Sequence, residues 1–507
     1  MTTDSLKKRY FAKLFANFVG LIIGVIIQAI IPRGLGPRVY GNFSFLSNFF
    51  TQVVNFLDMG TSTCFYTKLS QRYKDFGIVS FYLSFACLVS FFLIILVGCI
   101  SVTSIHTTIL PGQRTFYIYL AAIWGILMWF VKIVNKMADA YGVTVSAEVA
   151  RIVQKGLGVA IILVLFFSNR LNLTNFFFYH YVILIFLILA FIWVMGRKGY
   201  SLNRSWKLSF IQIKAYTKEF YSYSHPLCVY AFVVLIAGIL DRWMLQKFSG
   251  SVEQGFYGLS YQIGIICFLF TSAMTPLITR EFSIAFGEKN IREMARLFRR
   301  YIPMLYTIAA FFACFIAVEA DKVTFIMGGA KFQQATLAVA IMAFYPIHQT
   351  YGQLSASVFY ATGQTRLIRN INSIFVILGL PVAYFLIAPR NMLGLNAGAT
   401  GLAIKMITLQ FIVVNVQLWY NARLLGLRFW RYFAHQIGSV GILLFIAFFA
   451  RLIIGFVLSF SGNVFISFAS SGILYSILVA GVIILFPPIF GVNRNDIKSL
   501  RRIFVKV

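Results

Sequence analysis

The chain is built from apolar runs that are each long enough to cross a lipid bilayer. A spanning α-helix needs about 20 mostly apolar residues, and fourteen stretches of the sequence meet that requirement. They are 12–32, 40–63, 78–100, 116–136, 145–167, 176–195, 225–246, 257–279, 301–319, 335–361, 368–388, 396–420, 435–457 and 465–487. Only 11% of the residues are charged, against about a quarter in a soluble chain, so a water-soluble enzyme is excluded. The pattern predicts an all-α polytopic membrane protein with fourteen transmembrane helices.

The positive charges favour alternate sides of this arrangement. The 44 Lys and Arg outnumber the 14 Asp and Glu and give a formal net charge of +30. If the N-terminus is cytoplasmic, 31 basic residues fall in cytoplasmic segments, nine in outer loops and four inside spans. Because cytoplasmic loops of membrane proteins are enriched in Lys and Arg, both termini are predicted to be cytoplasmic. The charge therefore indicates a membrane rather than a nucleic-acid partner.

Several chemistries have no motif in this sequence. The six cysteines show no CxxC spacing and lie mostly in apolar runs, so they are predicted to be small buried hydrophobes. There is no Gly-Lys dipeptide for a phosphate loop and no HExxH metal motif. We expect no enzymatic activity, no catalytic residues, no metal site and no cofactor.

The sequence around the first span is echoed around the seventh. Arg33-Gly-Leu-Gly36 is followed by Tyr40-Gly41, and Lys247-Phe-Ser-Gly250 is followed by Tyr257-Gly258. The offset is 214 to 217 residues. The glycines are typical of tight turns where the chain reverses at a membrane surface.

A second pair of segments repeats at a similar offset, Gly112-Gln-Arg114-Thr-Phe116 and Gly329-Ala-Lys331-Phe332. Two matches predict that spans 1–6 and 7–12 are copies. Because six is even, the two six-helix lobes would be related by a pseudo-two-fold axis along the membrane normal. The predicted domains are 1–196, the N-terminal lobe; 197–224, a cytoplasmic interlobe linker; 225–420, the C-terminal lobe; and 421–507, an appended helix pair with a cytoplasmic tail.

The stretch Arg33-Gly-Leu-Gly-Pro-Arg-Val-Tyr-Gly41 resembles the R-x-LGP-x-x-YG signature of polysaccharide transporters. These transporters belong to the multidrug/oligosaccharidyl-lipid/polysaccharide exporter superfamily. Asp241-Arg242 followed by Gly255-Phe-Tyr257-Gly-Leu-Ser resembles the D-R … G-x-YG-x-A stretch of that family. Weaker matches are Leu57-Asp58-Met-Gly60 and Pro276-Leu-Ile-Thr-Arg280-Glu281.

The resemblance implies two lobes around a central cavity that opens alternately to each side. It implies a flippase that moves an oligosaccharide on undecaprenyl pyrophosphate from the inner to the outer leaflet of a bacterial cytoplasmic membrane, with O-antigen flippases as the closest type. The expected partners are this lipid-linked substrate and membrane lipids, and the chain is expected to be a monomer. A coupling ion, H⁺ or Na⁺, and association with polysaccharide assembly proteins stay open.

Carrying a pyrophosphate through hydrocarbon requires cations inside the membrane, because an isolated buried anion is very costly. Arg151 and Lys155 lie four residues apart on span five and share a helix face, and Lys405 lies near the middle of span twelve. We predict that these three contact the pyrophosphate; the alternative is snorkelling with internal ion pairing. His348 in span ten is predicted to bind sugar or shuttle a proton, or else to lie at a helix interface.

A second set of charged residues lies near the ends of spans and is assigned to gating or ion pairs. It consists of Arg33, Arg38, Asp58, Asp241, Arg242, Arg280 and Glu281. Asp58, Glu148 and Asp241 are also the candidates for a coupling-ion site.

Two alternative functions remain. A membrane glycosyltransferase or polymerase that uses a lipid-linked donor would need carboxylates in outer loops, but 33–39, 101–115 and 168–175 contain none. A drug or cation antiporter of the same superfamily would need carboxylates in its cavity, whereas this chain has an excess of cations within its spans and no acid in span one.

Overall fold

The computed structural model describes residues 6–72, 75–200, 208–272, 274–458 and 463–491, and within these ranges the regular structure is helical. The α-helices are α1 (Leu6–Asp58), α2 (Thr61–Gln71), α3 (Phe76–Val102), α4 (Ile105–Ile109), α5 (Thr115–Ala140), α6 (Thr144–Phe167), α7 (Leu173–Arg197), α8 (Phe210–Ser272), α9 (Thr275–Gly287), α10 (Ile291–Val318), α11 (Ala320–Gly328), α12 (Thr336–Met342), α13 (Tyr345–Ala361), α14 (Thr365–Ile387), α15 (Gly398–Leu424), α16 (Phe429–Val457) and α17 (Val464–Leu485). Short 3₁₀ turns cover Ala330–Ala335, Arg390–Met392 and Pro487–Phe490.

Nine helices in the described part of the chain are long and apolar enough to cross a membrane: α3, α5, α6, α7, α10, α14, α15, α16 and α17. They coincide with nine of the fourteen predicted spans. The remaining predicted spans lie in α1 and the start of α2, in α8 and the start of α9, and in the pair α12–α13. The protein is therefore an all-helical, multi-pass membrane protein. Linker residues 201–207 and the C-terminal tail from residue 492 lie outside the described residues.

The helices form two compact units, Met1–Gly255 (unit 1) and Phe256–Val507 (unit 2). Unit 1 includes the first part of α8, which packs on the neighbouring helices of that unit. Trp243 Nε1 donates a 2.8 Å hydrogen bond to the carbonyl of Thr108, and Gln246 Nε2 donates one of 3.2 Å to that of Pro111.

The predicted outer loop 33–39 is instead a break of one residue, Gly36, between two helices that together make up α1. At about 1.5 Å per residue, the 53 residues of α1 would span far more than a bilayer core of about 30 Å if they were straight. Gly36 interrupts the helix with φ 74° and ψ 167°, a backbone region that is open almost only to glycine. Before the break, Gly20 faces Lys155 and Gly34 faces Phe166, so this half of α1 runs parallel to α6.

After the break, α1 runs parallel to α5. Phe50 packs on Gly125, and Asp58 lies beside Lys132. Because only residues 141–143 separate α5 from α6, those two helices are antiparallel. The two halves of α1 are therefore antiparallel as well, and the chain reverses at Gly36.

The same break occurs in α8. Gly250 has φ 82° and ψ −175°, close to the values at Gly36. The two glycines are the last residues of the repeated basic-x-x-Gly motif, 214 positions apart. The repeat detected in the sequence therefore corresponds to one recurring backbone conformation.

The two breaks also touch each other reciprocally within unit 1. A Cβ on Gly41 would collide with the carbonyl oxygen of Ser251, and a Cβ on Gly255 would collide with that of Pro37. Each glycine lies five residues after its own break, and each carbonyl belongs to the residue directly after the other break. By these contacts Gly41 corresponds to Gly255. The sequence match pairs Gly41 with Gly258, which lies three positions later.

In unit 2, the appended helices α16 and α17 pack against α10. Tyr475 OH donates to the carbonyl of Phe311 at 2.9 Å, and its ring stacks on Phe311 and Phe315. Tyr306 OH donates to the carbonyl of Gln436 at 3.4 Å. This helix pair belongs to the hydrophobic core of unit 2.

The cysteines whose side chains are described are unbonded, and the prediction that they are buried is wrong for two of them. Cys64 and Cys314 are buried, Cys228 is half-buried, and Cys87 and Cys99 are exposed. The exposed pair lies on the apolar surface of α3, where a thiol costs little in contact with lipid.

Candidate functional site

Unit 1 gathers charged side chains at the end of its helices where α1 gives way to α2 and α5 gives way to α6. We call this the basic end. It carries Lys68, Arg72, Lys132, Lys136 and Arg151.

Asp58 is the centre of this region. It closes α1 and is only 4% exposed. Its Oδ2 accepts from Lys132 Nζ at 3.0 Å and from Ser62 Oγ at 2.8 Å, and its Oδ1 accepts from the backbone N–H of Ser62 at 3.0 Å. The last bond caps the start of α2. The other donors are Thr61, Tyr82 and Trp129. Asp58 therefore joins four helices and pairs with a basic residue at the end of its span.

A cavity of about 330 Å³ opens beside this network, between the second half of α1 and α5. Two lysines, Lys132 and Lys136, share one wall because they lie four residues apart on α5. Their charge is balanced in part by Asp139. The other polar lining residues are Thr51, Asn55 and Asn135.

Arg151 lies directly behind a residue of this cavity wall. Its Nη2 donates to Asn135 Oδ1 at 2.6 Å, and its Nη1 forms an ion pair of 2.5 Å with Glu148. Glu148 is 2% exposed, and the guanidinium also lies over the ring of Phe191. The charge of Arg151 is therefore neutralised within the protein, which is the ion-pairing alternative considered for it.

Lys155 lies one turn further along α6 and differs from Arg151 in its pairing. Counting from Thr144, it is about 16 Å along the helix, roughly half the thickness of a bilayer core. Its side chain is half-buried and lies across Gly20 of α1, where a Cβ would collide with Nζ. Among the described residues, Lys155 has no hydrogen-bond or ion-pair partner.

Lys405, in unit 2, is only 7% exposed. Its stem packs over Gly379 of α14, where a Cβ would lie 2.9 Å from Lys405 Cε, and its side chain makes interactions of its own. Like Lys155, it occupies the groove that a glycine opens in the neighbouring helix.

His348 is also buried in unit 2. It lines a cavity of about 310 Å³ together with Phe411 of α15 and Gln436 of α16, and it meets the ring of Phe411 edge-on. Nδ1 has no hydrogen-bond partner among the described residues. The histidine therefore lies between helices of unit 2 and the appended α16.

The residues assigned to gating lie at several separate places. Arg242 is buried, and its Nη1 donates to Gln254 at 3.1 Å and to Ser44 at 3.4 Å, so it bridges the break in α8 and α1. Asp241, Arg33 and Arg242 all make further interactions. Arg33 and Arg38 flank Gly36 within α1, and Arg38 is exposed.

Arg280 and Glu281, in unit 2, form an exposed ion pair of 3.2 Å on α9. Because both side chains are at least half exposed, the pair adds little to stability. Their predicted role in a gate stays a prediction.

Sequence reasoning assigns no special role to Lys132, Lys136 or Asn135. Because the two lysines end an apolar run, they fall among the 31 basic residues assigned to cytoplasmic segments. Their spacing of four on one helix was the available signal, since it places both ammonium groups on one face.

The predicted interlobe linker also becomes ordered structure at the basic end. From Phe210 it forms the start of α8, and Glu219 pairs with Lys68 at 2.8 Å and Arg72 at 2.7 Å. Tyr216 OH donates to Asp75 at 2.8 Å. Partial burial tends to raise the pKa of Glu219, but hydrogen bonds from Arg72 and Lys68 outweigh it and hold the pKa below its usual value.

The family model described as "Polysaccharide biosynthesis protein" matches residues 6–281. None of the curated proteins matches the chain significantly in sequence.

Solved structures share the fold at low sequence identity. The lipid II flippase MurJ in an inward closed conformation matches with a TM-score of 0.65 at 13% identity, covering 94% of this chain and 98% of that chain. An inward-facing multidrug resistance MATE family transporter of the MOP superfamily matches with a TM-score of 0.61 at 14% identity, covering 81% of this chain and 95% of that chain. A MOP superfamily transporter from Pyrococcus furiosus matches with a TM-score of 0.52 at 14% identity, covering 83% of this chain and 97% of that chain.

Proposed function

The chain belongs to the polysaccharide biosynthesis protein family, and from this premise we propose that it is a flippase for a polyprenyl-pyrophosphate-linked oligosaccharide. The family assignment predicted from the Arg33–Gly41 signature is thereby confirmed. In this proposal the head group crosses the membrane beside unit 1 while the polyprenyl tail stays in lipid. Transport would run from the inner to the outer leaflet of a bacterial cytoplasmic membrane, with both termini cytoplasmic.

The observation that carries the proposal is Lys155, a cation with no hydrogen-bond or ion-pair partner in the described part of the chain. Positive charges deep in a membrane are costly and usually serve a function. Arg151 is neutralised by Glu148, and the described residues supply no hydrogen-bond or ion-pair partner to the ammonium of Lys155, so we propose that it receives a ligand. A phosphate oxygen is the natural partner for such a point charge.

The nearby cavity supports an anionic head group. Its wall carries Lys132 and Lys136, and Asn55, Asn135 and Thr51 could bond sugar hydroxyls or phosphate oxygens. We propose that Lys155, Arg151 and this wall receive the pyrophosphate first. Lys405 and His348 are proposed for a later stage of the path through unit 2.

The same residues disfavour a cation antiporter. The two most deeply buried carboxylates of unit 1, Asp58 and Glu148, are both paired with cations of the protein. A cationic drug would have to displace Lys132 or Arg151 to reach them. This arrangement suits an anionic substrate better than a cationic one.

The experiment is translocation in proteoliposomes of a fluorescent polyprenyl-pyrophosphate disaccharide, followed by its exposure to an impermeant quencher. We expect Lys155→Ala to lower the rate about tenfold, as for the loss of about 1.4 kcal/mol of stabilisation. Lys155→Arg should keep most of the rate. Lys331→Ala, which removes an exposed lysine, is the matched control.

Two outcomes would overturn the proposal. If the purified wild-type chain does not accelerate translocation but does exchange a fluorescent cationic dye, it is an antiporter. If it translocates the lipid and Lys155→Ala does so at the wild-type rate, the ammonium does not hold the phosphate.

A further inference from the structure

We propose that a cleft between α3 and the start of α8 holds a short stretch of the polyprenyl chain of the transported lipid, next to its anionic head, while the rest of that chain stays in lipid. This inference rests on the proposed function and extends it from the head group to the tail. The cleft has a volume of about 520 Å³ and lies entirely in unit 1.

The cleft is formed by two facing helical stripes. The α3 wall carries Phe81, Ser84, Phe85 and Leu88, and the α8 wall carries Ile213, Thr217, Phe220, Tyr221 and Ser224. Both sets follow the spacing of one helix face. From Ile213 to Ser224 the wall is about 16 Å long, so the shape suits an extended chain better than a compact ligand.

One end of the cleft lies at the charged surface and the other lies at membrane depth. Asp75, which precedes α3 and accepts a hydrogen bond from Tyr216, marks the surface end, and α3 leads from there into the apolar layer. Glu219 with its partners Lys68 and Arg72 lies about halfway along the α8 wall. Lys214 and Lys218 are exposed on the adjacent face of α8. A lipid whose tail enters here would therefore place an anionic head among several basic side chains.

Ser224 gives a second indication that the cleft receives a ligand. It is 6% exposed, lines the deep end, and its hydroxyl has no hydrogen-bond partner among the described residues. An isoprene unit carries a double bond, whose π electrons accept weak hydrogen bonds. A saturated acyl chain offers no acceptor to this hydroxyl.

The number of chains per lipid separates the candidate lipids further. A phospholipid carries two chains on one glycerol, so a single cleft would leave one chain outside. A polyprenyl phosphate carries one chain and one anionic group. The aromatic side chains Phe81, Phe85 and Phe220 offer flat surfaces to its methyl branches.

The tail cleft exists because the start of α8 is held on unit 1. The ion pairs of Glu219 and the hydrogen bond of Tyr216 to Asp75 fasten that wall. The rings of Phe81 and Phe220, one on each wall of the cleft, also pack against each other with their centroids 5.3 Å apart.

The test uses the full chain in nanodiscs with polyprenyl monophosphate that carries a diazirine in its chain. After photolysis, we expect labelled peptides from 76–90 and 209–224, with unlabelled polyprenyl phosphate competing and phosphatidylglycerol not competing. Ser84→Trp should lower this labelling about tenfold, which corresponds to about 1.4 kcal/mol of lost binding. Thr217→Trp obstructs the opposite wall and should act in the same way.

Leu96→Trp is the matched control, because Leu96 lies on the same helix and is 55% exposed outside the cleft. Labelling elsewhere, labelling that phosphatidylglycerol competes equally well, or unchanged labelling in both cleft variants would overturn the inference. The translocation rate of the wild-type chain, measured separately, reports on the proposed function. A chain that translocates the lipid but is not labelled at the cleft refutes only the tail site.

Discussion

The two units satisfy their buried polar groups by different chemistry. In unit 1 the paired groups are ions: Asp58 with Lys132 and Glu148 with Arg151. In unit 2 the deep pairs are amides: Gln349 with Gln410, Asn415 with Gln436, and Gln417 with Asn372. Unit 2 also contains two ion pairs, Glu319–Lys322 with a fully buried carboxylate and Asp321–Arg451. The contrast therefore concerns the amide pairs, which in unit 2 join α13, α14, α15 and α16.

The difference separates two tasks that a carrier of a charged glycolipid must perform. When an anion leaves water, it loses the stabilisation of its hydration shell. The fixed charges of unit 1 replace part of that stabilisation. Neutral amides in unit 2 offer both donors and acceptors, which is the pattern that sugar hydroxyls require. If this division is correct, charge changes should be most damaging in unit 1.

Among these variants, the largest loss of protein stability is expected for Asp58→Asn. The amide would turn N–H donors toward Ser62 or Lys132, and the ion pair would be lost at a buried site. We expect a loss of about 3 kcal/mol of stability, measured as a lower melting temperature of the purified protein. A double-mutant cycle with Lys132→Met isolates the pair, and a coupling energy near zero would show that the remaining donors suffice.

Glu148→Gln should have the next largest effect. It leaves the charge of Arg151 half-buried with only Asn135 and the ring of Phe191 beside it. A charge-assisted hydrogen bond contributes about 1.5–3 kcal/mol, so we expect a loss of about 2 kcal/mol by the same measurement. Glu281→Gln, at an exposed pair, is the control and should leave the melting temperature unchanged.

Unit 2 should tolerate the loss of one amide pair better. The double variant Asn415→Leu with Gln436→Leu removes both partners of the pair together. Replacing both partners by apolar groups is often nearly neutral, so we expect a change below about 1 kcal/mol. A loss as large as that of Asp58→Asn would remove the contrast between the units.

The smallest effect is expected outside the membrane, at Glu219. Because its pKa is lowered in the folded state, its contribution to stability is present above the unfolded value of about 4.3 and is lost as the pH falls through the folded value. Partly exposed pairs contribute about 1 kcal/mol or less. Glu219→Gln should therefore lower the melting temperature slightly at pH 7, and the difference should shrink below pH 4. A difference that persists at low pH would assign the effect to packing.

Much of the fold could be predicted from local pattern. Hydrophobic length alone located the nine long apolar helices, because each one must match the bilayer on its own. The repeat predicted turns at Gly36 and Gly250, and in the structure a helix breaks at both positions. The repeat could not predict an unbroken helix on each side, since Pro32, Pro37 and several glycines there are typical of loops.

The site was less accessible to sequence reasoning. That Glu148 could pair with Arg151 followed from their spacing of three on one helix. Asn135 as a further partner, Lys132 as the partner of Asp58 and Gly20 beneath Lys155 depend on contacts between helices far apart in the chain. The start of α8 was missed because its surface charges resemble those of a solvated connector, and its docking depends on the distant residues Lys68 and Arg72.

The reciprocal contact of Gly41 and Gly255 has a consequence for the history of the molecule. If the two halves arose by duplication of an ancestral gene, they were free to diverge wherever their residues face lipid or water. At these two positions neither copy can accept a larger residue unless the backbone of the other withdraws. We therefore expect homologous chains to retain small residues at both sites together, long after the surrounding sequence has lost any trace of common descent.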